Sequence, residues 1–214
     1  MYSWFFIASF VILIPAAIAL ARFRVIDAAF KPLAYNVWIG VLAEMLAHLF
    51  RICIRNNLYV FNVFMYVDFI TFLWLFSRWG AFERVGRNRQ IAVVVIFTLL
   101  WIWDNCWQHS LGGKNFTFRI AYSMVLLLIA IDQMNNVVIK NSYFLKYNPY
   151  LYISVGIIFY YAYSVFISLF NSPLFHPSAD LWKWNMLIYV IINVATNLLF
   201  AIAFLCMPRK VKFI

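Results

Sequence analysis

Polar and ionisable residues interrupt several long apolar stretches of this 214-residue sequence, where their side chains could bind a ligand or conduct protons. Glu44 and His48 are four residues apart, which places both on one face of a helix. Asn62, Tyr66 and Asp68 follow in the next apolar stretch. Carboxylate, imidazole, hydroxyl and amide groups all exchange hydrogen bonds with polar molecules. We therefore predict that these residues line a binding site.

The last apolar stretch carries a polar stripe with a four-residue period. Asn185, Tyr189, Asn193 and Asn197 follow one another at that spacing, which predicts a helix face turned toward neighbouring helices. The alternative is a purely structural network, because interhelical hydrogen bonds in membranes contribute about 0.6–2 kcal/mol each. The full set of candidate ligand-binding residues is Glu44, His48, Asn62, Tyr66, Asp68, Asn185, Tyr189, Asn193 and Asn197. We assign none of them a catalytic or metal-binding role and predict no cofactor.

The composition determines which elements position these residues. Hydrophobic residues make up 66% of the chain and charged residues 11%, with a mean hydropathy of +0.86. Soluble domains carry about 25% charged residues, so a soluble fold is excluded. Seven stretches approach the roughly 20 apolar residues of a bilayer-spanning helix, and they lack the alternation of barrel strands. We predict one all-α integral membrane domain over residues 1–214, with transmembrane helices at about 4–20, 33–50, 58–79, 90–107, 118–139, 149–170 and 184–207.

Lysine and arginine residues are distributed unequally between the two sides of the predicted bundle. With the N-terminus outside, twelve of the 17 fall on the cytoplasmic side, where basic residues accumulate in membrane proteins. We therefore predict an outside N-terminus and a cytoplasmic C-terminus. Contact with anionic lipid accounts for the net charge of +10, so the lipid bilayer and not nucleic acid is the expected partner. Four of the nine candidate site residues then lie in the outer half, four lie near the middle and Asn197 lies toward the cytoplasm, which predicts a pocket open to the outer side.

A weak internal repeat is visible in the same sequence. An aromatic-Asn-x-x-x-Tyr-Val pattern occurs at 61–67 and again at 184–190, and a Tyr-Asn pair occurs at 35–36 and at 147–148. The matches recur in the same order, which predicts two parallel three-helix repeats joined by the fourth helix. The alternative is chance matching in a chain rich in aromatic residues.

The chain resembles the sugar carriers called SWEETs and other PQ-loop proteins in helix number, in the positions of its termini and in this 3+1+3 arrangement. In those carriers an Asn from the third helix and one from the seventh flank the central site, which implies that role for Asn62 with Asn185 or Asn193. The chain departs from the family because it contains no Pro-Gln motif. It also resembles short seven-helix proteins of Bacteroidota, which are aromatic-rich with an acidic residue in the second and third helices. That resemblance implies a bacterial inner-membrane location and no particular activity.

These features favour a non-enzymatic membrane protein that binds or transports a small molecule or lipid. Three alternatives remain: a sensor or assembly subunit acting through a membrane or cytoplasmic partner protein, a proton or ion path through the acidic residues, and an intramembrane metal-dependent hydrolase. Seven-helix alkaline ceramidases and adiponectin-receptor-like proteins bind zinc through one His of the second helix and two of the seventh. Here His48 matches the first ligand, but Asn193 and Asn197 replace the pair, and Asn binds zinc poorly.

Overall fold

The computed structural model describes residues 8, 10–82, 86–108, 110–140, 147–172 and 178–207. Within these segments every secondary-structure element is a helix, as the sequence predicts. The helices are α1 (Leu13–Arg22, after a 3-10 turn at Phe10–Ile12), α2 (Lys31–Cys53), α3 (Leu58–Arg78), α4 (Arg87–Ile102, continued by a π-helical segment Trp103–Gln108), α5 (Thr117–Lys140), α6 (Pro149–Phe170) and α7 (Ala179–Cys206).

Six of these helices, α2 to α7, are long and apolar enough to cross a membrane. The shorter apolar helix Phe10–Arg22 occupies part of the predicted first span, whose remaining residues lie largely outside the described ones. Capping defines where two of the six begin. Asn148 accepts a hydrogen bond from the Tyr150 amide (3.0 Å) at the start of α6, and Ser178 accepts one from the Leu181 amide (3.4 Å) at the start of α7. The length and composition of the helices indicate a multi-pass membrane protein.

The helices pack around an aromatic core. α1 packs against α2 and α7, α2 packs against α3, α3 packs against α5, and α5, α6 and α7 pack in sequence. Ring contacts fill the centre, where Tyr122 stacks on Phe118 and meets Tyr161 edge-on. Such ring pairs contribute about 0.5–1.5 kcal/mol each beyond the area they bury. α4 is the most exposed of the six long helices.

At one end of the bundle, Arg22 joins α1 to the end of α7. Its guanidinium donates to the carbonyl oxygens of Phe204 (2.6 Å), Leu205 and Met207 (3.1 Å). The last carbonyls of a helix lack partners within the helix, and a cation is favourable at this negative end of the helix dipole. We call this side of the molecule the Arg22 end.

At the opposite end, asparagine side chains hold the connection between α4 and α5. Asn62 donates to the carbonyl oxygens of Leu111 (2.7 Å) and Gly113 (3.0 Å), and Asn56 donates to that of Gly112 (3.0 Å). We call this side the Asn62 end. Asp104, in the π-helical segment, accepts a hydrogen bond from the Phe118 amide (2.9 Å) and so caps the start of α5.

Candidate ligand-binding site

Asp68 lies at the middle of α3, and its side chain is bonded to residues of two other helices. It is 6% exposed. One carboxylate oxygen accepts a hydrogen bond from Asn36 on α2 (2.8 Å), and the other accepts one from the hydroxyl of Tyr161 on α6. Asn36 also donates to the hydroxyl of Thr71 (2.7 Å), which itself donates to the Asp68 carbonyl (2.9 Å). These four side chains, which we call the Asp68 cluster, connect α2, α3 and α6.

Asn62 and Tyr66 are bonded to groups at the Asn62 end and on α4. The Asn62 side chain holds the α4–α5 connection, while its carbonyl oxygen accepts a hydrogen bond from the Trp101 indole (3.0 Å). The Tyr66 hydroxyl lies 2.8 Å from the hydroxyl of Thr98, which donates to the Val94 carbonyl (2.7 Å). Because Thr98 donates its own proton to Val94, Tyr66 is the donor to Thr98.

The polar stripe of α7 divides into two halves. Asn197 donates to the carbonyl oxygen of Asn193 (2.9 Å) and to its side-chain oxygen (3.2 Å), so this pair bonds within its own helix. The other half contacts tyrosines of α6. Tyr163 donates to the carbonyl (2.8 Å) and the side-chain oxygen of Asn185, and the hydroxyls of Tyr189 and Tyr160 are 3.2 Å apart.

Glu44 and His48 lie on the outer surface of α2. Glu44 is half-buried and His48 is exposed, and the neighbouring apolar side chains Met45 and Leu49 are also exposed. Glu44 is eight residues beyond Asn36, which is about 12 Å along the helix axis. The structure therefore separates this pair from the Asp68 cluster.

Arg119 was not among the candidate ligand-binding residues predicted from the sequence. It lies in the first turn of α5 and is half-buried. Its Nε donates to the hydroxyl of Ser164 on α6 (3.3 Å), and its guanidinium also interacts with the hydroxyl of Tyr189 on α7. Arginine at the end of a spanning helix can extend toward the membrane surface. Here it instead contacts two neighbouring helices inside the bundle.

Hydroxyl groups dominate the surroundings of Arg119. Tyr122 and Tyr160 lie near its guanidinium, and Ser123 donates to Ser164 (3.4 Å). Within the described residues Arg119 forms no salt bridge to a carboxylate. The sequence does contain one indication of this group: the spacing of Arg119, Tyr122 and Ser123 places all three on one side of a helix.

A buried amide lies at the edge of this group. Nδ2 of Asn185 is fully buried and has no hydrogen-bond partner in the described structure, and Asn185 as a whole is 6% exposed. It is one helical turn from Tyr189, on the same face of α7. We use the name Arg119 cluster for the set Arg119, Tyr160, Ser164, Asn185 and Tyr189.

The two clusters are connected through adjacent residues of α6. Tyr161 bonds Asp68, whereas the preceding residue, Tyr160, approaches Tyr189. Their ring centroids are 5.2 Å apart. The carboxylate of Asp68 and the guanidinium of Arg119 thus lie in two neighbouring polar clusters, which are separated by tyrosine side chains.

No group of three His, Cys, Asp or Glu side chains that could hold a metal ion occurs among the described residues. His109 and His176 lie outside them. Comparison of the chain with protein-family models, with curated proteins and with solved structures finds no match.

Proposed function

We propose that this multi-pass membrane protein binds a small molecule or a lipid headgroup in the polar region between α5, α6 and α7, and that it acts as a carrier or receptor for that ligand. One observation supports this function above all others: Arg119 is half-buried at the start of α5 and, among the described residues, its guanidinium contacts hydroxyl groups and forms no salt bridge to a carboxylate. Placing a cation inside a membrane protein is costly unless it has a partner, so such residues commonly mark binding sites and transport paths.

The nine predicted site residues then have different roles in our proposal. Asn185 and Tyr189 belong to the binding site. Asp68 lies beside the site, because its partner Tyr161 is adjacent in the chain to Tyr160, which contacts Tyr189. Asn62, Tyr66, Asn193 and Asn197 have protein partners for their side chains and support the helices around the site. Glu44 and His48 lie on the outer surface of α2 and do not contribute to it.

We further propose that the Asn62 end faces outward and the Arg22 end faces the cytoplasm of a bacterial cell. The basic residues Arg22, Arg24, Lys31, Arg78 and Arg89 are at or next to the helix ends on the Arg22 side, which supports this orientation. A ligand would then enter the Arg119 cluster from the outer side. A parallel 3+1+3 repeat is consistent with this picture, since Asn62 and Asn185 are both buried in the first two turns of their helices.

A sensor or assembly subunit is the second candidate function, and the outer surface of α2 supports it. Glu44, His48 and Arg51 follow one another at spacings of four and three, among exposed apolar side chains. Ionisable groups on a lipid-facing surface are costly, so a partner helix that covers them would stabilise the protein.

A density map of the protein in lipid nanodiscs, together with a thermal-stability screen of small molecules and lipids, tests the binding function. We expect density beside Arg119 and a ligand whose stabilising effect is reduced in Ser164→Ala and Tyr189→Phe. Asp132→Asn is a matched control, because this exposed side chain of α5 bonds only Asn136 in its own helix among the described residues. A closed, dry cluster with no stabilising ligand would contradict the proposal and favour the partner-protein alternative.

A further inference from the structure

We propose that the ligand of the Arg119 cluster carries an oxyanion, either a carboxylate or a phosphate group, which binds directly to the Arg119 guanidinium. This inference rests on the proposed function, because it names the chemical class of the ligand that the same site binds.

The donors of Arg119 exceed the protein groups that use them. A guanidinium presents five N–H donors in a planar fork, and this fork matches the two oxygens of a carboxylate or phosphate. In the described structure Nε of Arg119 donates to Ser164, and the hydroxyl of Tyr189 lies near its guanidinium. Each partner is a single hydroxyl, so neither can engage the fork in the paired geometry that an oxyanion provides.

Among the described residues no carboxylate compensates the charge of Arg119 through a salt bridge. Both carboxylate oxygens of Asp68 accept hydrogen bonds, one from Asn36 and the other from Tyr161. Asp104 caps the start of α5 through the Phe118 amide. Neither acid forms a salt bridge to Arg119. An anion would neutralise the charge in a region of low dielectric constant, where the attraction is strong, whereas a cation would be repelled.

The remaining groups of the cluster can also donate to an anion. Tyr160 and Tyr189 face each other at 3.2 Å, so one hydroxyl proton is used between them and the other is available to a ligand. Nδ2 of Asn185, one helical turn from Tyr189, is buried and has no partner among the described residues, so an anion that extended to it would satisfy this donor. An unsatisfied buried donor costs about as much as a lost hydrogen bond, which favours a ligand that accepts from it.

The oxyanion has two possible sources, a free small anion or the headgroup of a phospholipid. Arg119 lies in the first turn of α5, at the end of a membrane-spanning helix, so a headgroup at the membrane surface could reach it. The shared chemistry is an oxygen-rich anion bound to the guanidinium, and the experiment separates the two sources.

The test measures binding to the purified full-length protein in neutral detergent, by calorimetry and by thermal unfolding. The probes are inorganic phosphate, acetate and dioleoyl phosphatidylglycerol, with dioleoyl phosphatidylcholine and glucose as comparison ligands. We expect at least one anionic probe to bind, with its affinity reduced about tenfold to a hundredfold in Arg119→Gln. Arg51→Gln, which removes an exposed arginine near the same end of the bundle, should retain wild-type affinity.

Tyr189→Phe keeps the aromatic ring and removes one hydroxyl, so it provides a second test if Arg119→Gln does not fold. We expect it to weaken the same anion about threefold to tenfold. Binding of phosphate or acetate would identify a free anion as the source, and binding of phosphatidylglycerol alone would identify a lipid headgroup. Either result, with the dependence on Arg119 or Tyr189, supports the proposal.

Three results would overturn the oxyanion assignment. Anion binding that is unchanged in both cluster variants would place the anion elsewhere. Specific binding of glucose, with no binding of any anionic probe, would reject the oxyanion and leave the proposed binding function standing. If none of the probes binds and the nanodisc density shows a closed cluster, both proposals fail together.

Discussion

The hydroxyl of Tyr161 on α6 donates a hydrogen bond to the carboxylate of Asp68 on α3, 93 residues earlier in the chain. Asn36 of α2 supplies the second donor to the same carboxylate. One acidic side chain is therefore held by two helices other than its own. Removal of either donor leaves one oxygen of a buried carboxylate without a hydrogen bond, which is costly. The packing of α2, α3 and α6 therefore depends on this one carboxylate.

Tyr161→Phe should lower the free energy of unfolding by about 1–2 kcal/mol, because an interhelical hydrogen bond to a charged group is lost. Reversible unfolding in mixed detergent micelles measures the change. Tyr35→Phe is the control, since Tyr35 stacks on Trp74 and its hydroxyl has no hydrogen bond in the described structure. The double variant with Asp68→Asn should show coupling, and strict additivity of the two effects would contradict the direct bond.

Arg22→Gln should destabilise the end of α7, because three carbonyl oxygens lose the guanidinium that bonds them. We expect a loss of about 1–2 kcal/mol and faster amide hydrogen exchange in the last turn of α7. Arg24→Gln provides a matched control, because Arg24 is an exposed arginine two residues away. Equal exchange rates in the two variants would show that Arg22 does not cap the helix.

Gly112→Ala should disrupt the α4–α5 connection at the Asn62 end. A Cβ atom at this position would lie 2.6 Å from Cζ of Tyr59 and 2.9 Å from the side-chain nitrogen of Asn56. We expect a loss of about 1–3 kcal/mol, as for other overpacked sites. Tyr59→Ala in the same chain should restore part of that stability by making room. If the second substitution adds to the damage, steric conflict with Tyr59 is not the cause.

Asn62→Ala distinguishes a structural from a ligand-binding role for the residue that the sequence places in the site. Its side chain bonds the carbonyls of Leu111 and Gly113, so we expect faster hydrogen exchange in the connection 110–116 and unchanged ligand affinity. Asn57→Ala, at the half-buried residue just before α3, is the control. Loss of ligand binding without faster exchange would instead assign Asn62 to the site.

The cysteines test the proposed orientation. Cys53 and Cys106 are exposed near the Asn62 end, and Cys206 is the last residue of α7 at the Arg22 end. A membrane-impermeant thiol reagent should label single-cysteine variants that retain Cys53 or Cys106 in intact cells. A variant with Cys206 alone should react only after permeabilisation. The reverse pattern would place the N-terminus in the cytoplasm.

The helices of this protein could be predicted from the sequence because helix formation across a membrane depends on local hydropathy. The predicted spans at 58–79 and 149–170 nearly coincide with Leu58–Arg78 and Pro149–Phe170, since backbone groups in hydrocarbon must bond within their own segment. α7 begins at Ala179, five residues before its predicted start, because Ser178 caps a polar first turn that hydropathy alone does not detect.

The partners of the polar residues depend on the tertiary structure. A four-residue spacing indicates that Asn185 and Tyr189 share a face, but not that tyrosines of α6 and Arg119 of α5 meet them there. In the sequence Arg22 and Arg119 are both basic residues near helix ends and look equivalent. Packing makes one a cap for α7 and the other a cation inside the bundle, because the partners of each arginine come from helices distant in the chain.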